Sequence, residues 1–313
     1  MRLAVVGCGA VGRSVVDLAG GRGHEVVAVA DSTSAAVDPD GLETDAVLER
    51  KRADGRVGDD DPEGALSTEY DALVEATPTT LGDAEPGFSH ARAALERDRH
   101  VVLANKGPVA ERYDDLRAIE RDSAGRVRFE ATVGGAIPAV ATVEDYGPGN
   151  VTAARGVLNG TANFVLSRMA AEGLDYEHVL AEAQDLGVAE ADPSFDVEGT
   201  DAALKCVILA NVLYGGGYEL ADAAVDGISG VPGSALELAA EDGRTVRLIG
   251  EVTGESIRVG PRLVPQGSAL AVTGTRNIVQ IETEHAGRLN LSGRGAGGPE
   301  TATAVLADVG RLE

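Results

Sequence analysis

A glycine-rich turn close to the N-terminus constrains the fold more than any other feature of the chain. An apolar segment at 2–6 leads directly into GCGAVG (residues 7–12), which has the spacing GxGxxG. Helical spacing of apolar residues follows, and a second apolar segment, residues 25–30, ends at Asp31. Strand, glycine turn, helix, strand and acid in this order predict an α/β fold with a Rossmann-type dinucleotide-binding domain.

Five of the six residues of this turn are expected to contribute when a dinucleotide is bound. Gly7 makes the tight turn, Gly9 lets the pyrophosphate approach the backbone, and Gly12 lets helix and strand pack closely. Ala10 and Val11 lie between the second and third glycines of the turn, and the N-terminus of the helix expected from Arg13 faces the phosphates. We therefore predict that these five residues bind the cofactor.

The identity of the cofactor depends on Asp31 and on two basic residues. A carboxylate at this strand end suits the ribose hydroxyls of NAD and would repel the additional phosphate of NADP. Lys51 and Arg52 could reach such a phosphate if their loop folds back, although they would equally suit a solvated helix end. The sequence favours NAD and leaves NADP open.

Two further apolar segments, 71–76 and 100–104, are predicted to be strands of the same parallel sheet. Thr77 follows the first, and Asn105 and Lys106 follow the second. Ligands of open α/β sheets lie at the carboxyl ends of the strands, so these three residues are predicted to bind the cofactor. A loop lysine in solvent is the alternative for Lys106.

Composition narrows the functional classes. The formal net charge of −24 and the pI near 4.5 argue against DNA, RNA and anionic membranes as partners, because Lys and Arg bind such partners. Lysine occurs only at Lys51, Lys106 and Lys205, which makes these three candidates for chemistry and resembles the lysine-poor surfaces of salt-accumulating halophiles. No apolar segment approaches the roughly 20 residues of a membrane span. We expect a soluble, cytoplasmic protein that acts on a small molecule.

The cysteines and histidines indicate no further site. Cys8 and Cys206 lie in or beside apolar segments, so neither a disulfide framework nor a CxxC metal site is predicted, and a reducing compartment is indicated. The five histidines are too scattered to suggest a metal site.

An acidic segment in the second half carries the candidate catalytic pair. Residues 186–205, LGVAEADPSFDVEGTDAALK, pass directly into an apolar run. If Thr200 caps a helix here, Asp201 and Lys205 stand one turn apart on one face of it. They would form an acid and base pair at the mouth of a core helix. A surface ion pair beside a polar loop is the alternative.

The chain is long enough for two domains. Residues 1–133, joined by a C-terminal helix within 293–313, would form the dinucleotide-binding domain. Residues 134–292 would form an α+β domain for catalysis and dimerisation. The apolar pattern also predicts a helix at 109–122, a strand at 127–130 and antiparallel strands over 241–280.

Six motifs occur in a fixed order over nearly the whole chain: GxGxxG, NKGP (105–108), EATVGGAIP (130–138), NGTANF (159–164), the segment 186–205 and GRGAGGPETATAV (293–305). Together and in this order they resemble the homoserine dehydrogenase family. The resemblance implies reversible hydride transfer between NAD or NADP and the terminal carbon of L-homoserine, with L-aspartate 4-semialdehyde as the oxidised form, in threonine and methionine biosynthesis. It also implies a homodimer formed through the sheet of the second domain.

The same resemblance implies roles for single residues. Lys205 and Lys106 would be the catalytic lysines. Asp201 and Glu190 would hold the ammonium group of the substrate. Further positions implied by the family are Gly160 and Thr161 for the substrate, Gly295 for the cofactor, and Glu130 with the carbonyl oxygens of Val133, Gly135 and Ile137 for a structural monovalent cation such as Na⁺.

The resemblance is incomplete at Val188, where the family usually has a tyrosine that contributes to the substrate pocket. The chain also stops soon after its last helix, so the regulatory extension of some relatives is not expected. Three alternatives stay open. They are an aspartate semialdehyde dehydrogenase, which would need a nucleophilic cysteine, another amino-acid dehydrogenase, and a non-catalytic NAD-sensing protein.

Overall fold

The structure, a computed structural model that describes residues 1–312, divides into two compact units. Unit 1 contains Met1–Ala136 and resumes at Ala296, and unit 2 is Ile137–Gly295. The chain therefore passes between the two units after Ala136 and after Gly295, in each case three residues later than expected from the sequence. The expected α/β class is confirmed, because each unit combines a six-stranded sheet with helices.

Unit 1 is built on a sheet that is parallel except at one edge. Its strands are β1 (Arg2–Val6), β2 (Glu25–Ala30), β3 (Ala35–Val37), β4 (Ala72–Glu75), β5 (His100–Leu103) and β6 (Val127–Arg128). Their spatial order is β3-β2-β1-β4-β5-β6, and β3 pairs antiparallel with β2. In β1, β2, β4 and β5 every residue after the first is buried, as expected for strands covered on both faces.

The last helix of the chain belongs to the core of unit 1. The helices of this unit are α1 (Ala10–Ala19), α2 (Thr44–Asp54), α3 (Pro62–Ser67), α4 (Gly87–Leu95), α5 (Gly107–Glu111), α6 (Tyr113–Arg121) and α13 (Gly298–Gly310). α13 packs on α1, with Val15, Val305 and Val309 in one apolar cluster. A Cβ on Gly298 would lie 2.8 Å from the carbonyl oxygen of Ala10, so only glycine permits this close approach.

Unit 2 is built on a mainly antiparallel sheet. Its strands are β7 (Val151–Val157), β8 (Ala223–Val225), β9 (Arg244–Thr253), β10 (Ile257–Pro265), β11 (Arg276–Thr283) and β12 (Gly287–Arg294), in the spatial order β12-β11-β7-β9-β10-β8. Only β8 and β10 pair in parallel among the described strands of this sheet.

One helix of unit 2 forms its core. The helices are α7 (Ala139–Tyr146), α8 (Gly160–Glu172), α9 (Tyr176–Asp185), α10 (Ser194–Val197), α11 (Thr200–Tyr214) and α12 (Gly233–Glu241). α11 packs on β9 and β10, and all of its residues from Asp201 to Leu213 are buried. The charged residues of its first turn are therefore inside the unit.

The structure corrects two elements expected in unit 1. The helix expected over 109–122 is divided into α5 and α6, because Arg112 has non-helical angles (φ −134°, ψ 32°). The strand expected over 127–130 ends at Arg128, and Glu130–Thr132 form a short 3-10 helix. This turn redirects the chain before it leaves unit 1.

Two expectations for unit 2 are also corrected. Thr200 is the first residue of α11 and does not cap it, because Gly199 occupies the cap position with a φ of +87°. A side chain is strained at such an angle, so glycine is the residue that fits there. The antiparallel strands expected over 241–280 begin only after α12 and extend to Arg294.

Helix length bears on membrane insertion. None of the helices within residues 1–312 has both the length and the apolar character needed to cross a bilayer.

Candidate active site

The glycine turn of unit 1 combines tight packing with an open face. A Cβ on Gly7, whose φ is +98°, would lie 2.4 Å from the carbonyl carbon of Ala76, and a Cβ on Gly12 would lie 1.8 Å from the carbonyl oxygen of Gly7. Gly9 differs, since a Cβ there would meet no atom within 4 Å. Gly9 is also the cap residue of α1, whose first N–H groups have no partner within the helix. The turn thus fits a pyrophosphate.

A cavity of about 320 Å³ lies beside the first turn of α1. It is lined by Ala10, Arg13, Ser14, Asp17, Leu48, Arg52, Gly298 and Pro299. Two guanidinium groups therefore adjoin the helix end that is expected to face the phosphates. Arg52, one of the two basic residues considered for NADP, is among them.

Lys51, the other basic residue, neutralises Asp31. Its Nζ lies 2.7 Å from Asp31 Oδ2, while Asp31 Oδ1 accepts hydrogen bonds from the N–H groups of Thr33 and Ser34, both at 2.8 Å. Burial alone would raise the pKa of Asp31, but the hydrogen bonds from Lys51, Thr33 and Ser34 outweigh it and lower the pKa to about 2. The carboxylate is ionised at neutral pH, and an ammonium group balances its charge.

The loops after β4 and β5 are joined by side chains predicted to bind the cofactor. Asn105 Nδ2 donates to Thr77 Oγ1 (3.1 Å) and to the carbonyl oxygen of Pro78 (3.2 Å). The N–H of Lys106 donates to Thr79 Oγ1 at 3.4 Å. The structure therefore brings Thr77, Asn105 and Lys106 together at the carboxyl edge of the sheet.

Asp201 and Lys205 form a buried ion pair in unit 2. Lys205 Nζ donates to Asp201 Oδ2 and to the carbonyl oxygen of Leu158, both at 2.6 Å. The side chain of Asp201 is only 9% exposed, and that of Lys205 only 7%. A pair so far removed from water is not the surface ion pair that was the alternative reading of this spacing. Two ammonium hydrogens are directed at the protein, which leaves the third for a ligand oxygen.

Three residues of this cluster were missed by the sequence analysis. Asn159 Nδ2 donates to Asp201 Oδ2 (2.9 Å) and to Asp196 Oδ1 (2.6 Å), and Asn159 Oδ1 caps α8. Asn277 Nδ2 donates to the Leu158 carbonyl oxygen at 2.9 Å, so this oxygen serves both Asn277 and Lys205. Asn159 and Asp196 lie within motifs that could have signalled them, whereas no local pattern marks Asn277.

Of the other predicted substrate residues, Gly160 and Thr161 follow Asn159 directly in the chain, whereas Glu190 lies in a separate, exposed segment. The hydroxyl of Thr161 donates to the carbonyl oxygen of Val188 at 3.1 Å, which ties α8 to the segment before Glu190. Glu190 is exposed, and its carboxylate has no hydrogen bond or ion pair within residues 1–312. A Cβ on Gly160 would lie 2.9 Å from the carbonyl oxygen of Thr275, so the start of α8 packs closely on that loop.

Gly295, which the family resemblance assigns to the cofactor, has a packing role in unit 2. A Cβ at this position would lie 1.8 Å from Asn277 Nδ2. The absence of a side chain at Gly295 is therefore what lets Asn277 reach the Leu158 carbonyl oxygen.

The residues implied for a monovalent cation have suitable chemistry. Glu130 is buried in unit 1, and its N–H donates to Asp308 Oδ2 at 2.7 Å. Val133 and Gly135 are buried close behind it in the chain, and Ile137, the first residue of unit 2, is also buried. Carboxylate and carbonyl oxygens suit hard cations. The cation stays a prediction, and no group of three or more His, Cys, Asp or Glu that could hold a metal ion occurs within residues 1–312.

Neither cysteine has the properties of a nucleophile. Burial raises the pKa of the Cys206 thiol to about 12, and burial likewise raises the pKa of Cys8. Thiolate is the reactive form, so both thiols are inert at neutral pH. This weighs against the cysteine-dependent alternative, aspartate semialdehyde dehydrogenase.

Two family models match parts of the chain. The model of homoserine dehydrogenase matches residues 138–309, and the model of glutamate, leucine, phenylalanine and valine dehydrogenases matches residues 1–80. The first range contains Asp201 and Lys205 with their partners. The second contains the glycine turn and Asp31.

Individual proteins are similar over nearly the full chain. The homoserine dehydrogenase of Methanocaldococcus jannaschii is 38% identical over 99% of this chain and 97% of its own length. The crystal structure of a putative homoserine dehydrogenase from Archaeoglobus fulgidus matches with a TM-score of 0.93 at 40% identity, covering 100% of this chain and 99% of that chain.

The names of two further similar proteins include a nicotinamide cofactor. An NAD⁺-dependent homoserine dehydrogenase of Pseudomonas canavaninivorans is 39% identical over 76% of this chain and 70% of its own length. The structure of a hyperthermophilic archaeal homoserine dehydrogenase in complex with NADPH matches with a TM-score of 0.86 at 26% identity, covering 99% of this chain and 97% of that chain. Both nicotinamide dinucleotides thus occur among proteins similar to this one.

Proposed function

The chain belongs to the homoserine dehydrogenase family, and we propose that it catalyses the reversible, NAD(P)-dependent interconversion of L-homoserine and L-aspartate 4-semialdehyde. The buried ion pair of Asp201 and Lys205 carries this proposal. Burying two charges in a core helix seldom stabilises a fold. A reaction at a carbonyl carbon, in contrast, needs a proton donor held in a fixed place.

Lys205 is the proton donor in this mechanism. During reduction, its ammonium donates the third hydrogen to the aldehyde oxygen as the carbon accepts the hydride, and the products are the alcohol and a neutral amine. During oxidation the amine takes the hydroxyl proton back. Asp201 and the Leu158 carbonyl oxygen hold the nitrogen in place meanwhile, which favours reaction because the donor needs no rearrangement. Lys106 is the second catalytic lysine of the proposal.

The carboxylates of unit 2 hold the other end of the substrate. Glu190 is exposed and its carboxylate has no hydrogen bond or ion pair within residues 1–312, so the carboxylate is available to pair with the α-ammonium group. Asp201 contributes from the buried side, and Gly160 and Thr161 lie at the start of α8, which Asn159 caps. Holding this end sets the position of the terminal carbon.

Initial rates of NAD⁺ and NADP⁺ reduction with L-homoserine test the proposal. We expect turnover with L-homoserine and a fall in kcat/KM of about a hundredfold or more with 4-hydroxybutyrate, which lacks the α-ammonium group that Asp201 and Glu190 are proposed to bind. Binding of both cofactors without turnover of L-homoserine would contradict the proposal. It would favour another amino-acid dehydrogenase or an NAD-sensing protein.

NAD(P), when bound, accepts or supplies the hydride. Asp31 would disfavour the 2′-phosphate of NADP, but Lys51 balances its charge and Arg52 lines the neighbouring cavity. We propose that this compensation lets the chain use both cofactors, rather than NAD alone as Asp31 by itself would favour.

Lys51→Ala is therefore expected to change the choice of cofactor. Without the ammonium, the charge of Asp31 is no longer balanced and repels the 2′-phosphate, so the Kd for NADPH should rise by about tenfold while that for NADH changes little. Fluorescence titration with each cofactor measures this. Arg50→Ala is the matched control, because Arg50 lies on the same helix and pairs with the exposed Asp59. Equal changes for NADH and NADPH would contradict the role of Lys51.

The acidic composition predicts a requirement for salt. At a net charge of −24 the folded chain repels itself, and raising KCl from 0.1 to 2 M shortens the Debye length from about 10 Å to a few Å. We expect the melting temperature to rise by roughly 10 °C, measured by calorimetry. The same KCl series near pH 4.5, close to the pI, is the control, and there the melting temperature should change little with salt. A flat series at pH 7 would argue against a halophilic protein.

The remaining expectations complete the proposal. We propose a homodimer formed through the sheet of unit 2, a Na⁺ ion bound near Glu130, and a cytoplasmic enzyme with neither nucleic acid nor membrane as partner. The net charge of −24 supports the last point.

A further inference from the structure

Glu75 is a titratable residue to which the proposed mechanism gives no role. It is the last residue of β4, its side chain is 0% exposed, and Thr77 follows it at the carboxyl edge of the sheet. Its Oε2 has no hydrogen-bond partner within residues 1–312. A buried carboxylate with an unsatisfied oxygen is unfavourable for folding, so its presence beside a ligand site calls for an explanation.

The other carboxylate oxygen holds the loop that follows β4. Glu75 Oε1 accepts hydrogen bonds from the N–H of Thr77, at 3.2 Å, and from the hydroxyl of Thr77. His90 Nδ1 lies 3.5 Å from the same oxygen. Thr77 is therefore fixed by its main chain and its side chain at once.

From Thr77 the network continues to the loop after β5. Thr77 Oγ1 accepts from Asn105 Nδ2, and Asn105 Oδ1 accepts from the N–H of Gly107, the first residue of α5, at 2.9 Å. Lys106 lies between these two residues of the chain. Two of the three residues predicted to bind the cofactor at this edge, Thr77 and Asn105, thus belong to one network that begins at Glu75, and the third, Lys106, lies between two of its members in the chain.

Close packing keeps this network in one arrangement. A Cβ on Gly87, the first residue of α4, would lie 2.6 Å from Asn105 Nδ2 and 3.2 Å from Glu75 Oε2. A Cβ on Gly107 would lie 2.3 Å from the carbonyl oxygen of Thr80. Neither loop can shift without moving α4 or the other loop.

We propose that Glu75 is a positioning residue for the dinucleotide. Through Thr77 and Asn105 it fixes the loops after β4 and β5, and it sets the affinity for the cofactor without touching it. The inference rests on the proposed function only in placing the nicotinamide cofactor at this edge of the sheet.

Fluorescence titration with NADH and NADPH, which needs no turnover, tests this role. In Glu75→Ala the acceptor for Thr77 is lost, and we expect Kd to rise about tenfold for both cofactors. In Glu75→Gln the amide oxygen still accepts from Thr77, so Kd should stay within about threefold of the wild type. Leu73→Ala is the matched control, because Leu73 is fully buried on the same strand. It should lower the melting temperature and leave Kd within about twofold.

Three results would overturn the proposal. They are an unchanged Kd in Glu75→Ala, a comparable loss of affinity in Leu73→Ala, and a loss in Glu75→Gln as large as in Glu75→Ala. If Glu75→Ala does not fold, Thr77→Val removes the hydroxyl contact from the other side and should weaken binding, unlike Thr132→Val, which alters another buried hydroxyl of unit 1. A wild type that binds NADH but does not oxidise L-homoserine would contradict the proposed function alone.

Discussion

Replacing Lys205 with alanine is expected to lower kcat for L-homoserine about a thousandfold, with the Kd for NAD(P)H within about twofold of the wild type. The expected loss is large because the ammonium is the proposed proton donor, and Asp201 and the Leu158 carbonyl oxygen hold it in place. Lys205→Met, which conserves volume, should be equally inactive and better folded. Steady-state kinetics measure the loss of kcat, and titration with NAD(P)H shows whether the affinity for the cofactor is retained.

The adjacent residue provides the control for Lys205. Cys206 is fully buried on the same helix and has no part in the mechanism, so Cys206→Ala should leave kcat within about threefold while lowering stability. A kcat for Lys205→Met within tenfold of the wild type would place the chemistry elsewhere. Lys106→Ala would then be the next variant to measure.

Asp201→Ala is expected to destabilise unit 2 by about 3–5 kcal/mol, because it leaves the ammonium of Lys205 buried without a counter-charge. Asn159 loses an acceptor in the same variant. The melting temperature should fall by roughly 6–12 °C. Asp196→Ala is the matched control, since Asp196 accepts from the same Asn159 and is less buried, and it should lose only about 1 kcal/mol.

A double variant distinguishes loss of the pair from general damage to the core. Asp201→Leu with Lys205→Met replaces both charges by apolar groups, and such replacements of buried pairs are often neutral or stabilising. We expect the double variant to recover most of the stability lost in Asp201→Ala while remaining inactive. A double variant as unstable as Asp201→Ala would show that the loss arises from packing and not from an unpaired charge.

The sequence predicts features that depend on neighbours in the chain. The glycine turn and the spacing of Asp201 and Lys205 follow from local geometry, because a tight turn and one helical turn each span only a few residues. Even locally, the cap of α11 was mispredicted, since a threonine is a common cap and the positive φ of Gly199 is set by the loop that precedes it.

Contacts between distant parts of the chain could not be predicted in this way. Asn277 lies 119 residues from Leu158, and Asn159 lies 42 residues from Asp201. Such pairs exist because strands and helices pack side by side, and their partners depend on the register of the whole sheet. The pairing of Lys51 with Asp31, 20 residues apart, likewise requires that α2 folds against the end of β2.

The burial of α11 from Asp201 to Leu213 limits how this protein can diverge. Asp201 and Lys205, the proposed acid and base, stand on the helix around which unit 2 is packed, so a substitution of either one also disturbs the folding of that unit. Glu190 lies in an exposed segment and is under no such restriction. Under the proposed roles, substitutions around Glu190 can change the substrate with little effect on the fold, whereas any change of the reacting pair is also a change in the core of unit 2.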